Sequence, residues 1–190
     1  MNKRSFIKIA FLLWFIPFLI RLFFNISFEE THTSSFQKLE VMENSRVESR
    51  LMNLINEGDK KGCFFIIFTN NIKGCFLNIA GGSFIGIVTI LNLTINGFYS
   101  ADIIKKSFDN GMTVAQILKV TLPHSFELLG FWLSGAIGLL IAWKLIQFIQ
   151  GKEEFSLLFF KRIGMYTCIV FVIILSAAYI EAFVTVNMLE

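Results

Sequence analysis

From Cys63 to Asp102 the chain is apolar over about forty positions, CFFIIFTNNIKGCFLNIAGGSFIGIVTILNLTINGFYSAD. A hydrocarbon core of about 30 Å is crossed by about 20 helical residues, so this stretch is two spans long. Gly81-Gly82 at its centre predicts a tight turn, and hence a hairpin of two helices.

The rest of the chain follows the same rule. Apolar runs at 5–24, 123–147 and 164–187 join those at 63–81 and 83–102, predicting an all-α polytopic membrane protein with about five transmembrane helices. Composition agrees: 55% of the 190 residues are hydrophobic and 16% are charged, against about 45–50% and about 25% in soluble domains. The opening MNKRSFIKIAFLLWFIPFLIRLFF has the charges and apolar run of a signal peptide but no small-residue cleavage site. It reads as an uncleaved first helix, kinked at Pro17, with Arg21 reaching the far interface.

Three regions result: a first helix over 1–25, a polar segment over 26–62, and a four-helix membrane core over 63–190. In the polar segment Phe36, Leu39, Val47, Leu51, Leu54 and Ile55 recur at helical spacing. They predict an amphipathic helix lying on the membrane or on a partner protein. TVAQILKVT, 113–121, reads as a second, short surface helix. The cluster Lys3, Arg4 and Lys8 favours an N-terminus on the cytoplasmic side of the membrane.

Several function classes are excluded by what the sequence lacks. A net charge of +3 with no basic stripe interleaved with aromatics does not suggest nucleic acid. Cys63, Cys75 and Cys168 stand at unrelated spacings and read as buried free thiols, without a metal framework. Neither a phosphate-binding Gly-rich loop, nor HExxH, nor a Gly-x-Ser-x-Gly elbow occurs. No cofactor, metal or catalytic residue is expected.

Polar residues within the spans are not scattered. Asn71, Cys75, Asn78 and Gly82 follow one helical face, and Thr89, Asn92, Asn96 and Ser100 another. Such stripes face other helices, because an unpaired amide in hydrocarbon is costly. In the fourth helix Gly130, Ser134, Gly138 and Ala142 recur every four residues, a ridge that admits a close neighbour. Gly81, Gly82, Gly86 and Gly135 join Gly130 and Gly138 as small packing positions, and Asn70 joins the polar ones.

Three ionisable residues lie inside these apolar runs. His124 and Glu127 share a helical face. Glu181 comes from the fifth helix, at the same end if the fourth and fifth helices are antiparallel. A single buried cluster of the three is expected. It fits a packing contact, a proton or ion site, or a carboxylate-histidine metal site.

These residues also carry a resemblance. Leu122, Pro123, His124 and Glu127, then Gly135, Ala136 and Gly138, then Ile180, Glu181 and Ala182 resemble motifs of the stage II sporulation protein M family of bacterial membrane proteins. Asn70-Asn71 and Asn96-Gly97 look like the family's paired positions, and Ser125 replaces a usual Gly. The resemblance covers about 64–187; the first helix and polar segment share only placement. It implies a non-enzymatic multi-pass protein of the cytoplasmic membrane. Some members resemble scaffolds for cell-wall hydrolases, and others resemble accessory or permease-like subunits beside ABC-type ATPases in peptide or bacteriocin export. The bilayer and other membrane or envelope proteins are thus the expected partners, and an intramembrane hydrolase is the remaining alternative.

Overall fold

The computed structural model describes residues 3–24, 47 and 49–185, without the side chains at 3–4, 120, 122–124 and 184–185. Among these the fold is all-α. Five helices are named in chain order: α1 Lys3–Phe23, α2 Lys60–Gly81, α3 Ile87–Asp109, α4 Val114–Ile149 and α5 Leu157–Ile180. Each contains a segment long and apolar enough to cross a membrane: Ser5–Phe23, Lys60–Phe84, Ile87–Asp109, Ser125–Ile149 and Leu157–Phe183.

Helix α4 is central, packing on α1, α2, α3 and α5, while α1 lies mainly along α3. Phe6, Ala10 and Trp14 of α1 share one core with Leu93, Phe131, Ile137 and Ile174, so the first helix is part of the bundle. Its contact with α4 is aromatic: the Trp14 ring meets Trp132 at 5.3 Å, and Phe11 meets Trp132 edge-on at 4.9 Å. At the end of α1, Arg21 bonds Asp102 of α3 at 2.6 Å, so a side chain expected to reach for the interface is held by a carboxylate.

Helix boundaries differ from the sequence expectations in three places. The segment 113–121 is not a separate surface helix; α4 starts at Val114 and continues through Pro123 for 36 residues. Thr113 and Gln116 form a capping box that fixes this start: the Thr113 hydroxyl accepts from the Gln116 N–H, and the Gln116 side chain accepts from the Thr113 N–H at 2.8 Å. One missing N–H at Pro123 does not stop a helix so well begun. At about 1.5 Å per residue α4 is about 54 Å long and outruns the bilayer. Helix α5 begins at Leu157 rather than 164, because Ser156 caps it by accepting from Phe159 N at 3.2 Å.

The third difference is the turn between α2 and α3. Gly81 and Gly82 both keep right-handed helical backbone, and Gly82 opens a short 3-10 turn, Gly82–Phe84. The reversal falls instead on Ile85, at φ 55, and Gly86, at φ 81. A β-branched residue in the left-handed region is strained by about 1–3 kcal/mol. Ile85 is 51% exposed and gives up little packing when removed. Ile85→Gly is therefore expected to raise the thermal midpoint of the detergent-solubilised protein, by about 1 kcal/mol of added stability. An unchanged or lower midpoint would count against strain at this residue.

Before α2, residues 49–56 are helical. Leu51, Leu54 and Ile55 are partly buried against a cluster formed by Cys63, Ile67, Ala178 and Ala182. The apolar stripe expected to meet the membrane or a partner is, over these residues, covered by the ends of α2 and α5. The earlier part of that stripe, Phe36 and Leu39, lies outside the described residues. Cys63 and Cys75 are buried free thiols, but Cys168 is exposed on α5.

Candidate functional site: an amide network around Asn78

Helix α2 turns one polar edge inward, and Asn78 is its hub. The side chain is fully buried. Its Nδ2 donates to Ser134 Oγ at 3.0 Å and to the Phe131 carbonyl at 3.3 Å, both on α4. Its Oδ1 accepts from Asn92 Nδ2 of α3 at 2.8 Å. Asn92 Nδ2 also donates to the Gly74 carbonyl at 3.1 Å, and Thr89 Oγ1 donates to the Asn78 carbonyl at 2.7 Å. One amide thus joins three helices.

The chain of bonds continues along α3. Asn96 Nδ2 donates to the Asn92 carbonyl at 2.9 Å and to Asn92 Oδ1 at 3.1 Å, and Ser100 Oγ donates to the Asn96 carbonyl at 2.8 Å. Residues four apart stack on one helical face, so Thr89, Asn92, Asn96 and Ser100 form a single edge. Ser134 also donates to the Phe131 carbonyl at 2.7 Å, which engages both ends of its hydroxyl.

Glycines let the helices come close enough for these bonds. A methyl group on Gly138 would stand 2.1 Å from the Asn78 carbonyl oxygen, and one on Gly82 would stand 2.3 Å from that of Gly138. On Gly81 it would meet Thr89 N at 2.7 Å; on Gly135 and Gly130 it would meet Leu93 and Ile174 at 2.9 and 2.7 Å. Gly86 combines its left-handed backbone with a contact on Ala142. A methyl group on Gly97, which sequence reasoning did not place among the packing glycines, would stand 2.2 Å from the Trp14 carbonyl oxygen of α1. Its position next to Asn96 on a helix gives no sign of a backbone neighbour.

The ionisable residues are distributed as follows. Glu127 is half-buried on α4, and its Oε1 accepts from Asn71 Nδ2 of α2 at 2.5 Å. Glu181 is 8% exposed, at the start of a π-helical turn, Glu181–Thr185, that follows α5. His124 lies on α4 one turn before Glu127, but its side chain, and with it the expected three-residue cluster, lies outside the described residues. Among the described residues no group of three or more His, Cys, Asp or Glu side chains is arranged to hold a metal.

Asn70 differs from the other asparagines. It is exposed, because one residue rotates a helix by about 100° and Asn71 already occupies the inward edge. Beside it stands a residue that sequence reasoning missed altogether: Lys73, exposed within the apolar run of α2. A cation inside an apolar run is a recognisable signal that a count of run lengths passes over.

The sequence model of the family described as Stage II sporulation protein M matches residues 7–186, nearly the whole chain and α1 included. The chain belongs to the stage II sporulation protein M family. An uncharacterized protein of the archaeon Methanocaldococcus jannaschii is 31% identical over 125 residues, covering 63% of this chain and 68% of its own length. No solved structure matches the chain. Family membership and five membrane-crossing helices together make it a multi-pass membrane protein of the stage II sporulation protein M type. In this family member the match extends through α1, consistent with α1 packing into the common core.

Proposed function

We propose that this protein is a non-enzymatic component of the cytoplasmic membrane that holds other membrane or envelope proteins in a complex. The single observation that supports this most is the engagement of Asn78. Its amide binds α3 and α4 at once, and its neighbours Asn92, Asn96 and Ser134 are bonded to one another or to backbone. Amides joined in this way fix helix positions and carry no titratable proton of their own. The interior polar residues of the bundle therefore act as fasteners, which is what a platform for other proteins needs.

Glu127 favours a second reading, as an accessory or permease-like subunit of an exporter, because a carboxylate within a span marks many proton and ion paths. Glu127→Gln separates the two. Glutamine keeps an oxygen to accept from Asn71 and removes only the charge. In an architectural protein, Glu127→Gln is expected to keep its stability within about 1 kcal/mol of wild type, read from the thermal midpoint, and to retain its native membrane partners through affinity isolation. If the variant folds and assembles but the isolated complex loses transport in vesicles, the scaffold role gives way to the exporter role.

A further inference from the structure

Helices α1 and α5 both pack on α4 but make little contact with one another. The gap between them is a groove of about 290 Å³. Phe6 and Ile7 of α1, Ile137 and Leu140 of α4, and Tyr166 and Ile169 of α5 line it, and every lining residue is aliphatic or aromatic. The floor is buried, with Phe6 at 3% and Ile137 at 5% exposure, whereas Ile7 and Ile169 at the two lips are exposed at 43% and 46%. Along α4 the groove runs from Leu133 to Leu140, about 10 Å. An apolar cavity of about 150 Å³ takes one benzene, so this one has room for roughly a dozen carbon atoms. That matches a stretch of hydrocarbon chain laid along the helix.

One end of the groove is charged. Lys144 follows Leu140 by four residues on α4, and Arg162 precedes Tyr166 by four on α5. Each cation therefore lies on the groove side of its helix, one turn beyond the lining. Residues 150–156 join the end of α4 to the start of α5, and each cation stands about 8 Å along its helix from that connection. Lys144 is bonded to Glu153. Arg162 is exposed, and among the described residues no carboxylate pairs with it. Lys8, Lys152 and Lys161 are exposed near the same end, where the described carboxylates are Glu153 and Glu154. Positive charge is thus in excess where the groove reaches the bilayer surface.

A guanidinium meets a phosphate through two parallel N–H bonds, and basic pockets between membrane helices bind anionic headgroups. A zwitterionic headgroup brings its own cation and gains less from this surplus. We infer that the groove between α1, α4 and α5 binds one acyl chain of an anionic phospholipid, whose phosphate is held by Arg162 at the groove's charged end.

The test uses the full chain in phosphatidylcholine vesicles that contain phosphatidylglycerol with a photoreactive diazirine in one acyl chain. Labelling is expected on Ile7, Leu140 and Ile169. Phosphatidylcholine bearing the same diazirine should label these residues about fivefold less, the ratio for about 1 kcal/mol per cation near an anionic surface. Arg162→Gln should bring the phosphatidylglycerol probe down to the phosphatidylcholine level, and Arg162→Lys should keep a preference above it. Ile169→Trp, which fills the groove from its lip, should lower labelling of Leu140 by both probes. Arg162 and Ile169 are exposed, so these changes leave the core intact. Equal labelling by the two probes in wild type overturns the proposal, because the groove then holds bulk lipid only. So does a phosphatidylglycerol preference that survives Arg162→Gln. Disulfide-linked dimers of an Ile169→Cys variant, made with Cys168→Ser, would overturn it as well by assigning the groove to a second copy.

Discussion

Gly138→Ala is expected to cost the bundle about 3 kcal/mol or more, the top of the range for overpacking a close-packed interior. The added methyl group would lie 2.1 Å from the Asn78 carbonyl oxygen and 2.7 Å from Thr89 Oγ1. Neither obstacle can rotate away. The carbonyl is helix backbone, and the hydroxyl donates to that same carbonyl at 2.7 Å. Helices α2 and α4 must separate along the crossing, which also stretches the bonds from Asn78 to Phe131 and Ser134. The check is the thermal midpoint and the urea-accessible fraction of the detergent-solubilised variant beside Gly164→Ala, where an added methyl group meets nothing within 4 Å. Similar losses in the two variants would refute the backbone contact.

Asn78→Leu is expected to be the next most damaging change, at about 2 kcal/mol. Interhelical hydrogen bonds in membranes average about 0.6 kcal/mol and reach about 1.7. Leucine would remove the bonds to Phe131, Ser134 and Asn92 together. The loss has a ceiling because the partners keep other bonds. Ser134 still reaches the Phe131 carbonyl, and Asn92 still reaches that of Gly74. Asn96→Leu should cost less, about 0.6 kcal/mol, since its described bonds run only to Asn92 on its own helix. A ranking in which Asn96→Leu costs as much as Asn78→Leu would show that Asn78 is not the hub.

What the sequence makes legible here follows from what it encodes locally. Span number and type depend on run length, so all five helices are visible in hydropathy. The inward edge of α2 is visible too, because Asn71, Cys75 and Asn78 repeat at helical spacing. Tertiary geometry is less accessible. Gly81-Gly82 looks like a turn, yet both residues are helical and are needed for their closeness to Thr89 and Gly138. The turn itself uses Ile85, a residue type that local statistics place elsewhere. Pro123 suggests a boundary, but the capping box ten residues earlier and the continuing helix override it. Gly97 depends on α1, more than 80 positions away in sequence, and no local pattern carries that information.

The bonding order along the chain has a consequence for synthesis. Thr89 and Asn92 of α3 already reach Asn78 and Gly74 of α2, so the α2–α3 hairpin pairs most of its amides without help from later residues. A ribosome adding about 5–20 residues per second takes roughly one to four seconds to proceed from Asp109 to Phe131. During that interval the hairpin can leave the insertion channel for lipid as a two-helix body, with the bonds from Asn71 and Asn78 to α4 still to form. The fourth helix then arrives at a prepared groove, and its glycine ridge closes over two helices already joined through Asn78 and Asn92.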